Sequence, residues 1–184
     1  CQAHSLFAAL NKSQGKKIAE DLVTEFLRCV SEASPRWFLM ENVPKIPDVD
    51  IPGYGVTRTL LNNRWLGQEQ SRRRVFQFGS HEGWRLDVQL AALESVVSET
   101  ACLASEGKHG QLFDKRRAGK CHTVYRPRRE FGHFCELQGL PKDFLSQIDV
   151  FTIDGKYRMV GNGVPLPMGR AVARAVKKAI GLIP

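Results

Sequence analysis

Trp37-Phe38-Leu39-Met40-Glu41-Asn42-Val43-Pro44 decides the fold: four apolar residues read as a short buried strand, and a carboxyl and an amide follow at its carboxyl end. Upstream, Leu22, Val23, Phe26, Leu27 and Val30 recur at helical spacing between Ile18 and Val30, and Ser34-Pro35 stops the pattern. Downstream, Val56 to Leu61 and Val75 to Phe78 read as two further strands, punctuated by Gly53-Tyr54-Gly55 and Gly79-Ser80. Helix then strand, repeated, predicts an α/β fold, and open sheets of that class place their ligands at the carboxyl ends of strands. Glu41 and Asn42 thereby become candidate site residues.

Further along, Leu86, Leu90, Leu93 and Val97 fall at i, i+4, i+7 and i+11 and predict another helix. From Gly107 to Pro127 periodicity is lost and the chain turns basic, as expected of an irregular recognition segment. The chain closes on a predicted helix entered through Pro165 and Pro167. It carries Met168, Val172, Val176 and Ile180 on one face and Arg170, Arg174, Lys177 and Lys178 mostly off it.

At 184 residues and 42% hydrophobic content, the chain can bury a core of its own. No apolar run approaches the roughly 18 residues of a membrane span, and the first residues lack the layout of a signal peptide. Twenty-seven Lys and Arg against nineteen Asp and Glu leave a net charge of +8, concentrated in Arg72-Arg73-Arg74, Lys115-Arg116-Arg117 and Arg126-Pro127-Arg128-Arg129. Two readings of that charge stand side by side, polyanion binding and a solvated basic face. Five cysteines without a Cys-x-x-Cys pair fit neither a disulfide framework nor a zinc ribbon, and suit a reducing cytosolic or nuclear compartment. Cys102, His109, Cys121 and His122 match no standard metal-ligand spacing and read as loop or core residues. A first residue that is Cys and not Met is expected of a fragment, a processed product or part of a longer protein.

Several residues carry chemistry. Cys1 supplies a thiol beside the polar Gln2 and Ser5, groups suited to holding phosphates, although a lone cysteine is more often a small buried residue than a nucleophile. Glu41, at the end of an apolar strand, is partly desolvated, which favours its protonated form and suits a proton donor. Its bland alternative is a helix cap or an Arg partner. Asn42 is placed to fix its loop by side-chain to backbone bonds. Arg72 and Arg74 alternate at a strand entry and so point the same way, with Arg73 opposed, as a pair that grips one anion or as a solvated cluster.

Cys1-Gln2, Glu41-Asn42-Val43, Gln70-Ser71-Arg72-Arg73-Arg74, Leu137-Gln138-Gly139-Leu140-Pro141 and Gly161-Asn162-Gly163-Val164-Pro165, in this order and spacing, resemble the motifs of the DNA cytosine-5 methyltransferase family. The resemblance implies an incomplete Rossmann-like, S-adenosylmethionine-dependent methyltransferase sheet with a small irregular target-recognition region. The implied division is a catalytic domain over 1–81, target recognition over 82–130, and a hinge with a returning carboxyl-terminal helix over 131–184. It implies Cys1 as nucleophile at carbon 6 of a flipped-out cytosine and Glu41 as the acid at ring nitrogen 3, with Arg72 and Arg74 as further catalytic residues. Asn162, Gly163 and Val164 would hold S-adenosylmethionine. Gln2, Ser5, Asn42, Gln70, Lys115, Arg116 and Arg117 would contact double-stranded DNA. The implied setting is cytoplasmic, at the nucleoid in a prokaryote.

The sequence departs from the family at His4, at Gly67-Gln68-Glu69, at Gly132-His133 and at Gly163. It also lacks a Gly-rich cofactor loop, which is expected from an upstream segment or a partner subunit. The alternatives are a non-catalytic DNA-binding remnant, one subunit of a split methyltransferase, and an RNA cytosine methyltransferase.

Overall fold

The computed structural model describes residues 4, 12–15, 20–91, 97–103, 111–113, 123–125 and 129–184. Its strands are β1 (Trp37–Asn42), β2 (Gly55–Asn62), β3 (Gln70–Ser71), β4 (Arg73–Ser80), β5 (Glu99–Thr100), β6 (Gln111–Phe113) and β7 (Thr123–Tyr125). Its helices are α1 (Val23–Ala33), α2 (Phe131–Leu137), α3 (Ile153–Asn162) and α4 (Leu166–Ala179). The described residues divide into two compact units. The first takes in those up to Asn62, Arg73–Leu90 and Ala171–Pro184; the second takes in Asn63–Arg72 and the described part of Ala91–Arg170. The chain crosses between units inside the Gln70 to Arg74 motif and again inside α4.

In the first unit, α1 starts at Val23 because the Asp21 carboxylate accepts the Val23 N–H at 3.1 Å, supplying a partner that a leading helix end lacks. The described helix therefore begins later than the expected Ile18. It stops where anticipated: Ser34 turns left-handed (φ 42°), its N–H donates to the Val30 carbonyl, and Pro35 follows. The three-stranded sheet has the order β1-β4-β2 with both pairings antiparallel. The Asn63–Arg72 connection is too short for a crossover helix and returns the chain as a hairpin. The fold remains mixed α/β with small sheets.

The predicted strands are present and longer than expected: β1 continues through Glu41 and Asn42, placing both inside the ladder. Alternation then sorts the side chains. Phe38, Met40 and Val75 face one way, into a core with Val30, Ile46, Val49 and Ile51. Phe26 meets the edge of the Phe38 ring at 5.7 Å. Phe76, Phe78 and Leu61 face the other way and are also buried, together with the half-buried Glu41 and Arg74.

The second unit holds a core of Cys102, Phe134, Cys135, Leu137, Tyr157 and Val160, with Phe131 and Phe134 against the Tyr157 ring at 5.0 and 4.9 Å. Neither α2 nor α3 was legible as a helix. α2 is short, and α3 carries two glycines and an asparagine in place of a clean apolar stripe. What starts α3 is the Thr152 hydroxyl, which accepts the Gly155 N–H at 3.1 Å. α2 ends at Gly139 (φ 75°), where the Leu140 N–H reaches back to the Cys135 carbonyl and the Gly139 N–H to that of Glu136. A Cβ on Gly139 would collide with the Pro167 ring.

Two expectations are corrected. The helix expected over Leu86 to Val97 is absent from its described part: Leu86 to Ala91 has no regular structure, Leu90 and Val97 are exposed, and the Ala91 N–H is taken by the Trp65 carbonyl. The stretch read as irregular from Gly107 to Pro127 contains an antiparallel pair, β6 with β7, in which Leu112 opposes Val124. α4 matches its expected face. Met168, Val172, Ala175 and Val176 are buried, the four basic side chains are exposed, and Gly181 (φ 74°) closes it as the Leu182 N–H donates to the Lys177 carbonyl. Among the described residues no helix is long and apolar enough to cross a membrane.

Candidate active site

β1 and β4 bring together Glu41 and Arg74, two of the candidate residues, in the Arg pairing that is the bland alternative for Glu41. Glu41 opposes Phe76 in the ladder, so Arg74 lies diagonally from it on the same face, and the Arg74 Nε sits 2.7 Å from a Glu41 carboxylate oxygen. The Glu41 side chain remains 35% exposed and that of Arg74 17%, so the pair is held by the sheet with its carboxyl the more exposed partner. A second Arg74 nitrogen, Nη1, donates to the Arg73 carbonyl, fixing the guanidinium plane.

The loop that follows is fastened from below. The buried Asn42 side chain accepts the Val43 N–H at 2.9 Å. Arg58, on β2, donates to the carbonyls of Pro44 and Ile46 and to the Asp48 carboxylate. Gln77, on β4 and fully buried, accepts the Val49 N–H and donates to the Pro47 carbonyl. Neither Arg58 nor Gln77 was singled out in the sequence. The signal was available for Gln77, an amide inside the apolar run Val75-Phe76-Gln77-Phe78, because a polar group buried among such neighbours must find hydrogen bonds.

Within the second unit, the other motif residues lock onto one another. Gln70 is fully buried, donates to the Leu137 carbonyl at 2.6 Å and accepts the Cys102 N–H at 3.3 Å. Arg72, 4% exposed, donates from Nη1 to the Cys102 carbonyl and from Nη2 to those of Gly161 and Gly163, at 2.8, 2.8 and 2.9 Å. Gln138 donates to the Val160 carbonyl at 2.7 Å, and its own carbonyl accepts the Leu166 N–H. Asn162 and Gly163 are left exposed and Val164 half-buried.

These placements revise the sequence expectation. Gln70, expected to touch DNA, has its amide committed to protein backbone. Arg72 does not pair with Arg74 around one anion: it lies between β3 and β4, outside either strand, where alternation no longer sets its direction. Cys1, Gln2, Ser5, Lys115, Arg116 and Arg117 lie outside the described residues, as do His109, Cys121 and His122. Near the start of the chain, the His4 ring lies 2.9 Å from the Asp21 carboxylate. The Asp21 carboxyl is held below its usual range, chiefly by the Val23 N–H. Of the described cysteines, Cys102 and Cys135 are buried, and burial pushes the Cys135 thiol up to about 11, which leaves it unreactive. Cys29 is exposed on α1.

A model of the C-5 cytosine-specific DNA methylase family matches residues 1–116. The chain belongs to that family. No curated protein matches it. Among solved structures, the methyltransferase EhMeth of Entamoeba histolytica is similar with a TM-score of 0.52 and 15% identity, over 79% of this chain and 63% of that one. An E. coli prophage-encoded protein, described as a DNA modification methyltransferase, is similar with a TM-score of 0.54 and 16% identity, over 87% of this chain and 74% of that one. At these identities the likeness is one of fold. This methylase-family chain thus spans a little under two thirds of EhMeth, with small sheets similar to those of DNA methyltransferase structures.

Proposed function

We propose that the chain carries the base-activating part of a DNA cytosine-5 methyltransferase, which moves a methyl group to carbon 5 of a cytosine rotated out of the duplex. The Glu41–Arg74 pair carries the proposal: a carboxyl and a guanidinium fixed 2.7 Å apart on one sheet face, with the carboxyl side chain 35% exposed. Carbon 5 is a poor nucleophile until a thiolate adds at carbon 6. In the proposed sequence the Cys1 thiolate forms that bond, the ring electrons shift toward nitrogen 3, and Glu41 delivers a proton there. Arg74 orients Glu41 and offers N–H groups to the carbonyl oxygen at carbon 2. Once carbon 5 carries the methyl, loss of its remaining proton to solvent expels the Cys1 thiolate, and return of the nitrogen 3 proton to the Glu41 carboxylate restores the neutral ring.

S-adenosylmethionine supplies the electrophilic methyl when bound. The residues present fit one edge of it. The Gly161 and Gly163 carbonyls are already taken by Arg72, so the turn is held while the exposed Asn162 amide and the half-buried Val164 offer a hydrogen-bonding and an apolar contact to a nucleoside. Duplex DNA is the proposed partner, drawn to the +8 charge through Lys115, Arg116 and Arg117, with Gln2, Ser5 and Asn42 near the flipped nucleotide. The cytoplasm is the proposed compartment.

The test uses the full-length protein, the methyl donor and a duplex carrying 5-fluorocytosine. Fluorine at carbon 5 cannot leave as a proton does, so an enzyme of this class traps itself as a covalent adduct. The adduct is expected with the wild type and absent from Cys1→Ala. DNA binding without an adduct makes the chain a binding module and ends the catalytic reading.

A further inference from the structure

Arg72 and Arg74 belong to one motif, yet the structure gives them separate work. Arg74 sits in β4 with Glu41, whereas Arg72 is buried in the second unit with its fork spent on three backbone carbonyls. Two of those, Gly161 and Gly163, stand at the carboxyl end of α3, where carbonyls lack helical partners and carry the negative end of the helix dipole. A buried cation is favourable there, and the guanidinium reaches the three acceptors from two separate nitrogens, whereas a lysine ammonium offers its three N–H groups from a single point. Gln138 brackets the same turn by donating to Val160 O and accepting from Leu166 N–H. The backbone is thus pinned at Val160, Gly161, Gly163 and Leu166, and the side chain of Asn162 is left outside.

We infer that Arg72 is a positioning residue for the methyl-donor turn, holding Gly161-Asn162-Gly163-Val164 in the shape that receives the donor's nucleoside, and that it does not touch the target base. The inference rests on the proposed methyltransferase function. It divides the Gln-x-Arg-x-Arg motif into a residue that shapes the donor side, Arg72, and one that serves the base side, Arg74. Gln70 and Gln138 act with Arg72 as amides that bind backbone.

The test measures S-adenosylmethionine binding to the full-length protein without DNA, by calorimetry, together with hydrogen exchange of the amides between Gly161 and Leu166. Arg72→Lys is expected to weaken donor binding by about tenfold or more and to speed exchange in that turn, because it loses at least one charge-assisted bond. Duplex affinity should stay near wild type. Asn162→Ala, an exposed change, should weaken donor binding with turn exchange unaltered. Unchanged donor binding in Arg72→Lys or in Asn162→Ala overturns the inference, as does an Arg72→Lys defect confined to DNA affinity or adduct formation at saturating donor. Arg72→Gln replaces the lysine variant if that one does not fold, and failure of both to fold makes Arg72 a residue of the fold alone. A protein that binds donor through this turn but forms no 5-fluorocytosine adduct sinks the methyltransferase reading only. One that forms the adduct while Arg72→Lys keeps wild-type donor affinity sinks this inference only.

Discussion

Glu41 meets Arg74 across a diagonal of the β1–β4 ladder, and that geometry separates its chemistry from its surroundings. Replacing Glu41 by Gln keeps the side chain's shape and a carbonyl for Arg74 but removes the acidic proton. Single-turnover methyl transfer is expected to slow by about 10²- to 10⁴-fold, the span typical of a lost general acid, with duplex affinity near wild type by filter binding. Equal losses in rate and binding would remove the acid role. Glu41 was legible because an apolar run followed by a carboxyl fixes its place on a strand, and Arg74 because it enters β4 in register. Arg72 was not legible. Alternation holds only inside a strand, and the chain leaves β3 at Ser71 and enters β4 at Arg73, so Arg72 turns into the second unit instead. Gln70 and Gln138 stand out as motif residues, but nothing in a linear sequence says that their amides meet carbonyls 67 and 22 positions away, at Leu137 and Val160.

β4 depends on a glycine. Phe38, on β1, lies over Gly79, its partner in the ladder, and a Cβ there would come within 2.3 Å of two carbons of the ring. Gly79→Ala should therefore destabilise the protein by about 1–3 kcal/mol through overpacking, read as a lower midpoint in urea, and Phe38→Leu in the same chain should recover part of the loss. Unchanged stability would mean that the ring moves aside freely. The start of α1 makes a prediction in pH. Asp21 is held below its ordinary value by the Val23 N–H and, after that, by His4, so its contribution is complete above the unfolded carboxyl value near 3.9 and is lost as pH falls through the lower folded one. The difference in melting temperature between wild type and Asp21→Ala should be present at about pH 5 and should shrink below about 4. A difference that persists at pH 2 would show that charge is not its source. Elements with a strong period were legible, namely α4, the body of α1 and the cores of β1, β2 and β4. Leu86 to Val97 shows the limit of period: the spacing is helical, but Ala91 is drawn to Trp65, and Leu90 and Val97 stay in water.

Across the whole molecule, a net charge of +8 admits both a DNA-gripping surface and a merely solvated one, and composition does not choose between them. α4 carries a second basic face: Arg170, Arg174 and Lys177 are exposed on the side away from its buried stripe. That helix supplies a control for the proposed DNA contacts at Lys115, Arg116 and Arg117. Each phosphate contact releases condensed counterion on binding and contributes about 0.9 to the slope of log affinity against log salt. Neutralising Lys115, Arg116 and Arg117 together should flatten that slope by roughly 2 to 3, with similar losses on cognate and unrelated duplexes because phosphates carry no sequence. Neutralising Arg170, Arg174 and Lys177 removes the same charge, and a slope near wild type in that variant would place the α4 face beyond the Debye length of about 10 Å from the duplex. Titrations of labelled duplex from low to physiological salt decide it. Equal flattening in both variants would assign DNA attraction to overall charge, and no flattening in the first would take the 115–117 cluster out of the phosphate-contacting set.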